Sequence, residues 1–105
     1  MPTRATIVCK LQDGQYGVNY LHFDGDLAGE TLKKFFNDQQ KAEALATGFN
    51  LRSINQDGTV ERYDDSKGKI VRTAREVIKY ISGCSADYVY VFENGKWKAG
   101  FSHDI

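Results

Sequence analysis

Arg4-Ala5-Thr6-Ile7-Val8-Cys9-Lys10-Leu11, then Asp13-Gly14, then Gln15-Tyr16-Gly17-Val18-Asn19-Tyr20-Leu21-His22-Phe23 reads as a β-hairpin. Asp-Gly between two alternating segments is a strong signal for a two-residue turn. With that turn, Leu11 opposes Tyr16, Cys9 opposes Val18, Ile7 opposes Tyr20 and Ala5 opposes His22. That face is apolar. The other pairs Val8 with Asn19, Thr6 with Leu21 and Arg4 with Phe23, carries Lys10, and is mixed. One buried and one wetter face is the antiparallel pattern.

A second hairpin has the same logic. Tyr88-Val89-Tyr90-Val91-Phe92 leads into Asn94-Gly95 and then Lys96 to Ser102. Phe92 then opposes Trp97, Tyr90 opposes Ala99, Tyr88 opposes Phe101, Glu93 opposes Lys96 and Val91 opposes Lys98. Between the hairpins, residues 60–63 and 69–72 read as two short strands around Asp64-Asp65-Ser66-Lys67-Gly68.

Three segments carry helix signals. Asp26 is placed to cap a helix reaching about Phe36, with Leu32, Phe35 and Phe36 on one side. Asn37, with Gln40 three residues on, starts a second, in which Ala42, Leu45 and Ala46 are apolar and Gly48 is the stop. Thr73-Ala74-Arg75-Glu76 is a capping box, and Ala74, Val77, Ile78 and Ile81 form a stripe ended by Gly83. With no repeated strand–helix–strand unit, these elements imply an α+β fold: an antiparallel sheet of hairpins with about three helices packed on one face. Ile7, Tyr20, Tyr90, Phe92, Trp97, Val77, Ile78 and Ile81 are expected in one core.

The chain has 105 residues, 14 basic and 14 acidic side chains and no formal net charge, which fits a single domain over 1–105. Zero net charge argues against a protein built to coat nucleic acid or an anionic membrane. Met1-Pro2-Thr3-Arg4 lacks the apolar region of a secretory signal, and no apolar run approaches the ~18 residues of a membrane span. The expected setting is a reducing cytosol, with Cys9 and Cys84 as free thiols.

An ordered set of motifs resembles a group of small bacteriophage, prophage and bacterial proteins. It comprises Thr3-Arg4-Ala5-Thr6-Ile7, Tyr20-Leu21-His22-Phe23-Asp24-Gly25, Gly29-Glu30-Thr31-Leu32, Phe36-Asn37-Asp38, Ala86-Asp87-Tyr88-Val89-Tyr90-Val91-Phe92 and Asn94-Gly95-Lys96-Trp97. Phe23 stands where that group usually has Trp, and Asp26-Leu27 where it has Tyr-Pro. The resemblance implies a bacterial cytoplasm and an accessory protein that binds a host protein or a small molecule, without implying a particular activity.

The candidate ligand-binding corner is His22, Phe23, Asp24 and Asp26. The expected strand places His22 beside Ala5, with Asp24 on the same side and able to orient the ring. The competing reading gives Asp24-Gly25 a turn and Asp26 a helix cap. Arg72, Arg75 and Lys79 form a candidate basic face on the third helix, where a solvated helix face is the plainer reading. No cofactor is implied, and no metal site, since no His pair stands at ligand spacing and His103 is remote. Cys9 reads as core, and Cys84 follows a helix C-terminus, whose dipole disfavours a thiolate. Together these favour a non-catalytic binder, with nucleic acid disfavoured and a homodimer compatible. The alternatives are a small enzyme or nucleotide-binding protein using His22 and Asp24, and a nucleic-acid binder using residues 74–82.

Overall fold

The computed structural model describes residues 3–101. In chain order the elements are β1 (Ala5–Lys10), β2 (Tyr16–Leu21), α1 (Ala28–Phe35), α2 (Gln39–Thr47), β3 (Phe49–Ile54), β4 (Val60–Lys67), β5 (Lys69–Val71), α3 (Ala74–Gly83), β6 (Tyr88–Glu93) and β7 (Lys96–Phe101). Ser102 and His103 lie outside the described residues. Seven strands form one sheet in the order β4-β3-β2-β1-β6-β7, with β5 also paired to β2.

The fold is α+β, but the sheet is mixed. β1 runs parallel to β6, with Ala5 opposite Tyr88, and β2 runs parallel to β3, with Leu21 opposite Leu51. Both parallel neighbours are reached through helices, because strands running the same way cannot be joined by a tight turn. β3 carries no clean alternation: its register shifts beside Leu51, and both Ser53 and Ile54 are buried. β4 runs on to Lys67, through residues expected to form the connection, whereas β5 is only Lys69–Val71, and the two do not pair with each other. β4 adds to β3, and β5 adds to the start of β2 through Tyr16, Gly17 and Val18.

The first hairpin is shifted by one residue from its expected register. Leu11 N donates to Gln15 O at 2.8 Å and Gly14 N to Leu11 O at 3.0 Å. The loop is therefore Gln12-Asp13-Gly14, a three-residue turn with Gly14 at φ +88°. Ala5 now opposes Leu21, Ile7 opposes Asn19 and Val8 opposes Val18. A slip of one residue moves every side chain of the partner strand to the other face. Tyr20 and His22 consequently leave the side that carries Ile7 and Cys9. Gln56-Asp57-Gly58 repeats the same loop between β3 and β4: Asn55 N donates to Thr59 O at 2.8 Å, and Gly58 sits at φ +90°. The Asn94-Gly95 turn is the true two-residue case, with φ values of 56° and 76° and the register expected for it.

The helices do not share one face. α1 and α2 cover a first face, where Leu32, Leu45 and Ala46 pack on Ile7, Cys9, Leu21, Tyr90, Phe92 and Trp97. α3 covers the second, where Val77, Ile81 and Ala86 pack on Val8, Val18 and Val89. The single expected core is thus two. α3 begins as expected, the Thr73 side chain accepting from Glu76 N, and it includes Gly83. Its apolar stripe is narrower than expected, since Ala74 and Ile78 are exposed, Ile78 at 45%. The α2 cap is Asp38, accepting from Lys41 N, in place of Asn37. α1 has Leu27 at its N-cap with no side-chain cap, so Asp26 does not serve there. Among the described residues no helix is long and apolar enough to cross a membrane.

The burial of α3 makes a paired prediction. Ile81→Ala should lower stability by about 2–4 kcal/mol, because Ile81 is buried and its removal leaves a cavity. Ile78→Ala should cost about 1 kcal/mol or less. Urea melts of the two variants check this, and equal losses would contradict the assigned helix face.

Candidate functional site

After Leu21 the chain stays extended: His22 N donates to Leu51 O at 3.0 Å and Phe23 N to Arg52 O at 2.9 Å. Strand alternation then puts His22 on the second face with Tyr20, away from Ala5. Its Nδ1 is hydrogen-bonded to the Tyr20 hydroxyl. The ring meets Phe23 edge-on at a centroid distance of 4.4 Å and Tyr63 at 6.2 Å. The Arg52 guanidinium lies over the Phe23 ring at 5.8 Å.

The two aspartates go elsewhere. Asp24 is exposed at φ 57°, a left-handed conformation that Asp tolerates better than most residues, and its carbonyl accepts from Leu27 N. Among the described residues its carboxylate makes no hydrogen bond or ion pair, so it does not orient His22; Tyr20 has that position. Gly25 is held against the sheet, donating to Thr3 O at 2.8 Å and accepting from the Tyr90 hydroxyl at 2.5 Å. A Cβ at Gly25 would stand 2.8 Å from Thr3 O, so the approach requires glycine. Asp26 lines an open cleft of 740 Å³ on the first face, with Leu27, Lys33, Tyr88 and Tyr90. The expected corner is therefore divided between the two faces of the sheet.

The second face gathers a different set. A cleft of 530 Å³ between β5 and α3 is lined by Lys69, Val71, Glu76, Lys79, Tyr80, Gly83 and Cys84. Of the expected basic face only Lys79 enters it; Arg72 and Arg75 are exposed outside its lining. Tyr80 and Cys84 face each other at its wall, with Asn50 also at the Tyr80 hydroxyl. Tyr20 lies within electrostatic reach of Cys84, Tyr63 and Arg4. Arg4, Tyr20 and His22 lie outside the lining of the cleft; the Arg4 side chain bonds Tyr20, and Tyr20 interacts with the cleft residues Tyr80 and Cys84. From sequence Tyr20 was expected in the core and Cys84 as an unreactive thiol, and Arg4, Tyr63, Lys69 and Tyr80 were not named as site residues. A three-residue first turn would have placed Tyr20 and His22 correctly, but the others depend on long-range packing.

Two buried polar atoms on this side have no partner among the described residues: Arg4 Nε and Thr6 Oγ1. Thr6 is fully buried and pairs with Tyr20 in the β1–β2 register. Nearly all buried polar groups in folded proteins are hydrogen-bonded, so these two atoms are exceptions on the second face.

Burial sets the titration of the cluster. It raises Tyr80 strongly, and it raises Tyr20 against the opposing Arg4 guanidinium. Burial also pushes the Cys84 thiol up, with Tyr80 and Lys69 pulling against it. On the other face burial, aided by Glu43, pushes Cys9 up to about 12. Both thiols are free, and at neutral pH both are protonated and weakly nucleophilic. The arrangement offers hydrogen-bond donors, aromatic edges and cations. Among the described residues, no three His, Cys, Asp or Glu side chains come together to hold a metal ion.

These shifts fix the sign of the alkaline response. A thiol with a folded pKa near 12 and an ordinary value of 9.0 keeps its proton longer in the folded state. Its contribution to stability is complete below pH 9 and is lost as pH rises toward 12. Urea stability should fall across that window, and Cys9→Ala should make the fall shallower; identical slopes would contradict the assignment. Thr6→Val, which replaces an orphaned hydroxyl with a methyl group, should raise stability by about 1 kcal/mol in the ligand-free protein. A lower Tm would show that the hydroxyl has a partner.

Comparison of the chain with protein-family models, with curated proteins and with solved structures returns no match, so the chemistry of the second face carries the functional reading.

Proposed function

We propose that this protein is a non-catalytic binder of a small molecule, of the phage or prophage accessory type, with its site on the second face at α3. The observation that carries the reading is the pair of buried, unpartnered atoms, Arg4 Nε and Thr6 Oγ1, on the side of β1 that meets Tyr20. A ligand polar group or ordered water reaching them would remove a desolvation penalty of about 1–3 kcal/mol for each group. The 530 Å³ cleft on the same face falls in the usual range for small-molecule pockets. A concave site favours a small molecule over a flat protein interface. The protonated thiols support binding over covalent chemistry. The phage and bacterial setting rests on the ordered motifs from Thr3-Arg4 to Lys96-Trp97.

The test is retention. Purified protein is incubated with a small-molecule extract of bacterial cells, passed through a desalting column and denatured, and the released molecules are identified by mass spectrometry. The wild type should carry a species that Tyr20→Phe and Tyr80→Phe retain at least tenfold less, with unchanged circular dichroism. Equal retention by both variants would move the site elsewhere, and a wild type that retains nothing would end the reading.

A further inference from the structure

The 740 Å³ cleft on the first face is larger than the one at α3 and lies across the sheet from it. It opens between the first turn of α1 and the β6–β7 hairpin. Leu27 at the α1 N-cap offers no side-chain acceptor, so no side chain closes the helix start. Thr31, one turn into the helix, lines the cleft and is only 5% exposed. Among the described residues its hydroxyl makes no hydrogen bond. Buried hydroxyls normally have a partner, and the one that Thr31 lacks in the fold has to come from the cleft.

The rest of the lining limits what can enter. Asp26 and Glu30 stand against Lys33 and Lys34, so their charges cancel. Among the described residues none of the four joins an ion pair or a hydrogen bond. Lys34 lies over the Phe35 ring at 5.3 Å, and Asp26 acts on Tyr90 through space. An anion would meet two carboxylates here, and a cation two ammonium groups. A wholly apolar ligand would leave the Thr31 hydroxyl orphaned. The carboxylates accept, the ammonium groups donate, and Thr31 and Gln56 do both. The Tyr90 hydroxyl is committed to Gly25 O, so Tyr90 offers the cleft its ring, beside the half-buried Tyr88. The negative face of an aromatic ring attracts C–H edges.

We propose that this cleft is a second small-molecule site, which takes a neutral sugar of one or two rings. Sugar hydroxyls donate and accept at once, as the mixed lining requires, and the C–H face of the ring suits the tyrosine wall. The cleft volume lies in the usual range for small-molecule pockets. With no net charge on either side, binding changes little with added salt. The site stands on the opposite face from the α3 cleft, and neither depends on the other.

The experiment titrates the full chain with cellobiose, maltose and N-acetylglucosamine, with adenosine and inorganic phosphate as comparators, read by amide chemical shifts. At least one sugar should perturb residues 27–31, 88 and 99 and leave residues 69 and 79 unmoved. Thr31→Val, which removes the hydroxyl and keeps the shape, should weaken that binding about tenfold. Ala99→Leu should abolish it, because Ala99 is exposed on β7, opposes Tyr90 and lines the cleft. Lys98→Ala, next along the strand but on the other face, should leave it unchanged. If no sugar perturbs these residues, the inference is overturned. It is also overturned by sugar binding that survives either Thr31→Val or Ala99→Leu undiminished. Phosphate or adenosine acting on the same residues at lower concentration than every sugar overturns the assigned ligand class. Should Thr31→Val fail to fold, Ala99→Leu decides alone.

Discussion

The Asn19 side chain is the tie on which both halves of the sheet depend. It is fully buried, and its amide nitrogen donates to Leu45 O at 2.9 Å, Gly48 O at 3.3 Å and Phe49 O at 3.0 Å. Its oxygen accepts from Tyr20 N at 2.9 Å and from Asn50 Nδ2 at 2.7 Å. One side chain thus satisfies carbonyls left open at the end of α2 and holds the start of β3 against β2. The geometry leaves no room nearby. A Cβ at Gly68 would come within 2.5 Å of both Ala46 O and Val18 O and 3.0 Å of Asn19 Cγ. Gly68 N meanwhile donates to Gly48 O at 2.9 Å, where β4 gives way to β5. The outer edge of β2 can therefore be shared, with β5 along its first half and β3 at its end.

How much of this was legible in the sequence depends on the length scale that each feature obeys. The Asn94-Gly95 turn, the Thr73 cap and the aromatic pairs of β6 and β7 are local, and local patterning reads them. Gln-Asp-Gly was the decisive ambiguity. Asp-Gly fits a two-residue turn, but in both copies the Asp side chain accepts from the backbone two residues on, Gln15 N at 3.0 Å and Thr59 N at 3.0 Å. That bond favours the longer loop with glycine alone in the left-handed region. The parallel pairings and the opposite placement of α3 arise from contacts far apart in the chain, and no local signal encodes them.

The candidate site follows the same division. His22 and Phe23 were picked out because a histidine at a strand end is conspicuous, and they do border the cluster. Asp24 and Asp26 share their tetrapeptide neighbourhood but point to other surroundings, since the chain turns sharply at Asp24. Arg4 was read only as a strand residue opposite Phe23 and as part of the opening motif, because nothing about an arginine before a strand foretells a buried Nε. Lys69 and Lys79 become neighbours of one cleft only once β5 has paired with β2 and α3 has crossed behind it.

The central position of β1 also shapes how the protein is born. β1 is synthesised well before its parallel neighbour β6, with Ala5 waiting for Tyr88 and Cys9 for Phe92. The hairpin with β2 can form early, but one long side of β1 stays unpaired, with the apolar Ile7 and Val8 uncovered, while the intervening helices and strands emerge. Such long-range pairing slows folding and leaves an adhesive strand edge exposed in the meantime. Cells making this protein rapidly would be expected to rely on chaperones that cover that edge until residues 88–93 arrive.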